Sequence, residues 1–222
     1  MSNLTINTRD QFEFTFSKEA EKEIILILKK YPPERKASAV MPLLDLAQRE
    51  AGGWLPITAL EAVAQKVGLA YMRVLEIASF YTMYNLNPVG KWHLQICGTT
   101  PCWLRGSDDI LKAIYDTLQI KPNETSKNGD FTLTPVECLG ACVNAPILQV
   151  NDDFYEDLNY DTTKKLIESL KKGTKPKVGS TKNRKSDPEN GATVLLSIKG
   201  KKKCLKIKIE FLQIFMVGMD QT

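Results

Sequence analysis

The sequence lacks the features that mark several common protein classes. Its 222 residues contain a single histidine, and no apolar run approaches the roughly 20 residues that a membrane-spanning helix needs. It has no Gly-x-Gly-x-x-Gly and no phosphate-binding loop, so nucleotide binding by a glycine-rich loop is not indicated. The first ten residues include one basic residue and no apolar stretch. We therefore expect neither a signal peptide nor a transit peptide, and the sequence favours a bacterial cytoplasmic location over the mitochondrial matrix.

An excess of positive over negative charge is absent outside the C-terminal segment. The net charge is +4, but residues 174–222 hold eleven Lys and Arg against four Asp and Glu, which leaves the rest of the chain slightly acidic. No nucleic-acid recognition motif accompanies the basic segment. Binding to nucleic acid is therefore not predicted.

Cysteine is also rare, with five in the chain, but four of these residues form two close pairs. Four residues separate Cys97 from Cys102, three separate Cys138 from Cys142, and 35 residues lie between the pairs. That interval leaves room for a helix and a strand, so we expect each pair on its own loop, with the two loops converging. A [2Fe–2S] cluster needs four thiolates, two for each iron. The sequence therefore predicts one such cluster on these four cysteines, and an electron carrier.

Other uses of four cysteines remain open. A structural zinc site also takes four, although zinc knuckles commonly have a Cys-x2-Cys spacing that neither pair shows. Disulfides are disfavoured because no secretory signal is evident and each pair is too close to link distant parts of a fold. Paired regulatory thiols are a further alternative. Cys204 has no partner at ligand spacing and is left out of the site, and His93 is interpreted as a structural residue within a strand.

Small and polar residues flank both cysteine pairs. Gly98, Thr99 and Thr100 can direct N–H groups or hydroxyls toward sulfur, and Gly140 and Ala141 leave the backbone accessible. Such donors tune the potential of an iron–sulfur cluster.

The first part of the chain has a helical period. Residues 17–85 predict four short helices, in which Ser17 caps the first helix and Thr58 with Glu61 forms a capping box for the third. No cysteine precedes residue 97. The predicted role of this region is therefore docking rather than cluster binding.

From residue 92 the period becomes that of a sheet. Trp92, Leu94 and Ile96 alternate with polar residues and lead into the first cysteine, as in a half-buried strand. Ser107 is predicted to cap a helix, and the full order is β-α-β-β-β-α, typical of an α+β domain. We predict three regions: a helical region at 1–86, a cluster domain at 87–173, and a basic tail at 174–222.

Several motifs together resemble one known family. They agree in order and spacing with the thioredoxin-like [2Fe–2S] subunit of respiratory complex I, NADH:quinone oxidoreductase. The similar stretches are residues 52–56, 74–78, 80–83, 97–102, 137–146 and 151–157. The resemblance spans roughly residues 10–190, and the sequence is atypical of the family beyond about residue 191.

The resemblance implies an N-terminal helical bundle followed by a thioredoxin-like [2Fe–2S] ferredoxin domain. It implies one cluster per chain, held by Cys97, Cys102, Cys138 and Cys142, which exchanges single electrons with the flavin of an NADH-oxidising partner protein. The chain itself would have no NADH site, flavin site or membrane span, and would lie at the cytoplasmic face of the inner membrane through its complex. The alternatives are the equivalent subunit of an NAD-linked hydrogenase or formate dehydrogenase, and a zinc-stabilised interaction module.

Overall fold

The computed structural model describes residues 13–185, which contain a group of helices followed by a six-stranded sheet with its own helices. The atypical sequence beyond residue 191 and Cys204 lie outside the described residues. Within residues 13–185, no helix combines the length and the hydropathy that crossing a membrane requires.

Four helices form the first part, as the sequence predicts. They are α1 (Lys18–Leu28), α2 (Val40–Glu50), α3 (Ile57–Val67) and α4 (Tyr71–Phe80). A 3-10 segment at Pro33–Ala39 joins the first two. Ser17 caps α1 as predicted, since its hydroxyl accepts the Ala20 N–H at 3.1 Å. The apolar faces of all four helices meet in one core, whose buried members include Ile24, Leu44 and Leu60.

Two of the predicted caps are wrong. Thr58 lies inside α3, because the residue before that helix is Pro56, in an extended conformation. Proline suits the start of a helix because its missing N–H has no intrahelical acceptor there. Ser107 likewise lies inside the next long helix, because Gly106 precedes it with φ of 101°. A positive φ is easily reached only by glycine.

The sheet follows the predicted order of elements. Its strands, in spatial order, are β2 (Glu124–Thr125), β3 (Phe131–Val136), β1 (Trp92–Cys97), β4 (Leu148–Val150), β5 (Asp153–Glu156) and β6 (Gly179–Ser180). Strands β1 and β3 are parallel and joined through α6 (Ser107–Leu118), whereas β4 and β5 form an antiparallel hairpin. Asn151 turns that hairpin with φ of 53°, a conformation that asparagine tolerates. The sequence did not predict β2, β6 or the short helix α5 (Thr100–Leu104).

Helices α6 and α7 (Tyr160–Lys171) cover one face of the sheet. Leu94 and Ile96 of β1 belong to this core. The prediction that β1 is half-buried is wrong in one respect, since His93 on the opposite face is only 7% exposed. A strand in the middle of a sheet is buried on both faces when both are covered.

The helical group and the sheet meet beside this second face. Arg49 of α2 forms two hydrogen bonds to the Asp152 carboxylate, of 2.9 and 3.2 Å, at the turn of the β4–β5 hairpin. Gly90 donates its N–H to the Thr132 hydroxyl at 2.7 Å, and a Cβ at Gly90 would lie 2.7 Å from the Gly129 carbonyl oxygen. The backbone at Gly90, just before β1, therefore passes so close to the backbone at Gly129 that a side chain would not fit there. The predicted regional boundaries at residues 86 and 173 stay a prediction.

Candidate metal centre

The first cysteine pair is buried at the end of the central strand. Cys97 is the last residue of β1, and Cys102 lies in α5, where Pro101 favours the start of the helix. Neither residue is exposed to solvent. Both pack with Ala145 and Ile147 in a small apolar cluster that is separate from the two larger cores.

The second pair lies on the loop after β3. Gly140, with φ of 81°, lets this loop turn sharply between Cys138 and Cys142. The Cys138 and Cys142 side chains are exposed, and their sulfur atoms are 3.5 Å apart. Two thiolates bound to one tetrahedral metal at about 2.3 Å lie roughly 3.7 Å apart. The spacing of this pair therefore fits two ligands of one metal.

The two pairs converge, because Leu139 and Ala141 of the second loop pack against the apolar cluster that contains Cys97 and Cys102. Burial, followed by the hydrogen bond and charge of Cys97, raises the pKa of Cys102 to about 12. Hydrogen bonding to Cys138, followed by burial and by the charges of Cys138 and Cys97, raises the pKa of Cys142. Thiolates so close together repel one another, and metal cations relieve this repulsion.

Several hydrogen-bond donors are directed at sulfur, as the sequence predicts. The Gly140 N–H donates to the Cys138 sulfur at 3.4 Å, and the Thr99 hydroxyl oxygen lies 3.3 Å from the Cys97 sulfur. Burial alone would raise the pKa of Cys97, but hydrogen bonds from the Thr99 hydroxyl and the Leu139 backbone bring it below its ordinary value. The Gly98 N–H is directed instead at the Val136 carbonyl, 3.5 Å away.

The arrangement is one of two pairs rather than a single ring of ligands. In the described part of the chain, no three His, Cys, Asp or Glu side chains surround one point as the ligands of a single ion would. A [2Fe–2S] cluster takes two cysteines at each of its irons, so paired thiols on converging loops fit it. All four cysteines among residues 13–185 are free thiols, with no disulfide between them.

His93 lies on the floor of a groove between α2 and the sheet. The groove, of ≈ 670 Å³, extends to Cys138 and is also lined by Asp45, Arg49, Lys91, Glu137 and Asp152. The His93 ring nitrogen Nε2 lies 2.8 Å from the Thr134 hydroxyl oxygen. Burial lowers the pKa of His93 to about 4. The ring is therefore neutral at neutral pH, which fits the structural role predicted for it.

We expect the His93 ring to stay neutral from pH 7.5 to 5.5 in the folded protein. Its pKa lies below the ordinary value of about 6.5, so the unfolded chain binds a proton first and the folded state loses stability as pH falls below 6.5. The loss reaches about 1.4 kcal/mol at pH 5.5. Because the chain has one histidine, its proton NMR signal can be followed without ambiguity. An imidazole signal that titrates near pH 6.5 in the folded protein would contradict this expectation, and the urea-unfolded chain serves as the control.

The residues that hold the second cysteine loop were not predicted from the sequence. Arg184 and Asp157 bond to one another at 3.0 Å, and Arg184 also donates to the Val143 carbonyl at 2.7 Å. Arg184 lies in the predicted basic tail, where it looked like one charge among many. Asp157 lies just after β5 with its side chain fully buried, and no local pattern in the sequence marks it.

Comparison with known proteins decides the family. The family model of the thioredoxin-like [2Fe–2S] ferredoxins matches residues 24–171, about two thirds of the chain. The chain belongs to this family. The match confirms the predicted resemblance and the α+β fold class, since the helical region leads into a mixed six-stranded sheet.

Relatives agree with this family. The chain is 57% identical over 164 residues to the E subunit of the NADH-quinone oxidoreductase of Rickettsia prowazekii, covering 73% of this chain and 93% of that protein. It is 45% identical over 195 residues to the mitochondrial NADH dehydrogenase [ubiquinone] flavoprotein 2 of Dictyostelium discoideum, covering 86% of this chain and 79% of that protein. Among solved structures, an NAD+-reducing [NiFe]-hydrogenase is similar in fold, with a TM-score of 0.52 and 18% identity over 59% of this chain and 22% of that chain.

Proposed function

We propose that Cys97, Cys102, Cys138 and Cys142 hold one [2Fe–2S] cluster, which exchanges single electrons with the flavin of an NADH-oxidising subunit within NADH:quinone oxidoreductase. The observation that supports this most directly is the convergence of two thiol pairs, one buried and one exposed, on adjacent loops. The complex would place the chain at the cytoplasmic face of a bacterial inner membrane.

The family and the relatives confirm the predicted function and cofactor at the level of the whole chain. The NADH-quinone oxidoreductase relatives from two Rickettsia species match over nearly their whole length, so the similarity is not confined to the ferredoxin domain. Electron transfer as part of an oxidoreductase and a [2Fe–2S] cofactor are both consistent with the family model. The four ligands and the flavin-bearing partner are the finer parts of the proposal.

When bound, the cluster supplies one-electron chemistry. The residues of this chain bind it, exclude water from one side and stabilise negative charge. Burial of Cys97 and Cys102 in an apolar cluster keeps water away from that side. The Gly140 N–H and Thr99 hydroxyl lie within reach of sulfur, where they stabilise the charge that increases on reduction. Because Cys138 and Cys142 are exposed, the electron-transfer path from the cluster to a partner protein would be short.

Low-temperature electron paramagnetic resonance of the anaerobically purified chain, with iron and zinc analysis, tests this proposal. We expect two irons per chain and a rhombic spin-one-half signal that appears only after reduction with dithionite, because one-electron reduction of a [2Fe–2S] centre leaves an unpaired electron. A sample that gives no paramagnetic signal, holds one zinc per chain and takes up no iron on reconstitution would instead support the zinc-stabilised module. Co-purifying subunits with a nickel or molybdenum site would favour the hydrogenase or formate dehydrogenase alternative.

A further inference from the structure

Residues 179–184 return to the sheet and contact the loop that carries the second cysteine pair. Strand β6 pairs in parallel with β5, which places Ser180 beside Glu156. Beyond it, the Thr181 N–H donates to the Glu156 carbonyl at 3.0 Å, and the Thr181 hydroxyl donates to the Asp157 carbonyl at 2.8 Å. The segment therefore has a fixed position against the end of β5.

Asp157 is the centre of these contacts. Its side chain is fully buried, and its carboxylate accepts hydrogen bonds from the Ser180 hydroxyl at 2.6 Å and from Arg184 at 3.0 Å. Its N–H donates to the Asn144 carbonyl at 2.8 Å. A buried carboxylate requires such partners, because an unpaired charge away from water is costly.

Arg184 connects this carboxylate to the cysteine loop. One guanidinium nitrogen bonds Asp157, and the other donates to the carbonyl of Val143 at 2.7 Å. Val143 directly follows Cys142, and Asn144, the next residue, donates its side-chain amide to Glu156 at 2.7 Å. The loop is thus held to β5 through its backbone at Val143 and through the Asn144 side chain.

We propose that Asp157 and Arg184 form a positioning pair that holds the Cys142 loop in its ligating conformation and cancels the Asp157 charge beside the cluster. This inference rests on the proposed ligand role of Cys142. Partners that orient metal ligands typically change metal affinity by about 10- to 100-fold when removed. The pair is neutral as a whole, so it fixes geometry without adding net charge next to an anionic cofactor.

Removal of Arg184 is expected to change two separate measurements. In Arg184→Gln, we expect iron release to a chelator to be about tenfold faster or more, because the Val143 carbonyl loses its charged donor. We also expect a more negative midpoint potential, because the Asp157 charge is left uncompensated and disfavours the added electron. Arg184→Lys keeps the positive charge but cannot donate to Asp157 and Val143 with the geometry of a guanidinium. Its midpoint potential should therefore stay near that of the wild type. Its rate of iron release should lie between those of the wild type and Arg184→Gln.

The double variant separates charge from position. In Asp157→Asn with Arg184→Gln, the net charge of the pair returns to zero, so we expect the potential to return toward the wild-type value. Iron release should remain fast, because the bond to Val143 is still absent. Lys182→Gln removes an exposed positive charge from the same segment and is the matched control, with little change expected in either measurement.

All variants are studied as the full-length chain, with iron content measured first. If wild type and Arg184→Gln both bind two irons and show the same release rate and potential, the inference is wrong and the proposed function stands. If Lys182→Gln shifts the potential as much as Arg184→Gln, the specific role of the pair is refuted. If the wild type binds no iron, the proposed function fails and this inference fails with it.

Discussion

Replacing Cys102 with alanine will leave the full-length chain without its iron–sulfur cluster. Cys102 is fully buried beside Cys97, so no water or neighbouring side chain can take the place of its sulfur without opening the apolar cluster around it. Three thiolates leave one iron with a single cysteine, which does not complete a [2Fe–2S] site. Iron analysis and the reduced paramagnetic signal measure the loss, and we expect both to fall to background.

The fifth cysteine provides a matched control for this substitution. Cys204→Ser removes a thiol that has no partner at ligand spacing, and we expect it to keep two irons and an unchanged signal. Full iron content in Cys102→Ala, or loss of iron in Cys204→Ser, would show that the ligand set is wrong. The unfolding midpoint of Cys102→Ala should be compared with that of cluster-free wild type, so that loss of ligand and loss of fold are separated.

Replacing Phe80 with alanine will weaken binding to the proposed flavin-bearing subunit while leaving the cluster intact. Phe80 at the end of α4 is 76% exposed, its ring packs edge-on against Tyr81 at 5.0 Å, and Met83 nearby is 55% exposed. Exposed apolar groups that lie together mark interaction surfaces, and a central aromatic anchor contributes about 2 kcal/mol or more to binding. We therefore expect an affinity about 30-fold lower, measured by titration with the isolated partner.

Tyr115→Ala is the control for this surface. Tyr115 is 43% exposed on α6, which packs on the sheet face opposite His93 and the helical group, so its removal should leave the affinity unchanged. Unchanged binding in Phe80→Ala would contradict a docking role for this part of the helical region. Iron content should equal that of wild type in both variants, because neither Phe80 nor Tyr115 is a proposed ligand of the cluster.

The sequence predicted the features that depend on paired cysteines or on a repeating hydrophobic period. The two cysteine pairs were identified because their spacing is short and thiols are rare in the chain, and β1 was found because Leu94 and Ile96 alternate before Cys97. Helices α1 to α4 each bury an apolar stripe over ten or eleven residues, which is long enough for the period to be visible. The predicted strands alone therefore place the first cysteine of each pair at or just after the end of a strand.

The missed features depend on single contacts or on very short segments. Helix α5 has five residues and β6 has two, too few for any periodicity. The starts of α3 and α6 were misplaced because the backbone conformations of Pro56 and Gly106 decided them, rather than the hydroxyls nearby. The bond from Arg184 to Val143 joins residues 41 positions apart, and no local pattern announces such a pair.

The unequal burial of the two cysteine pairs gives the site a direction of assembly. In the folded chain Cys97 and Cys102 present no surface, so a scaffold protein delivering iron and sulfide meets only Cys138 and Cys142. With these four cysteines as the proposed ligands, we expect loading of the folded protein to begin at the exposed loop, with the inner thiols engaged after it. A maturation partner is then expected to recognise the loop at residues 138–144, the surface from which the proposed electron-transfer partner would also approach.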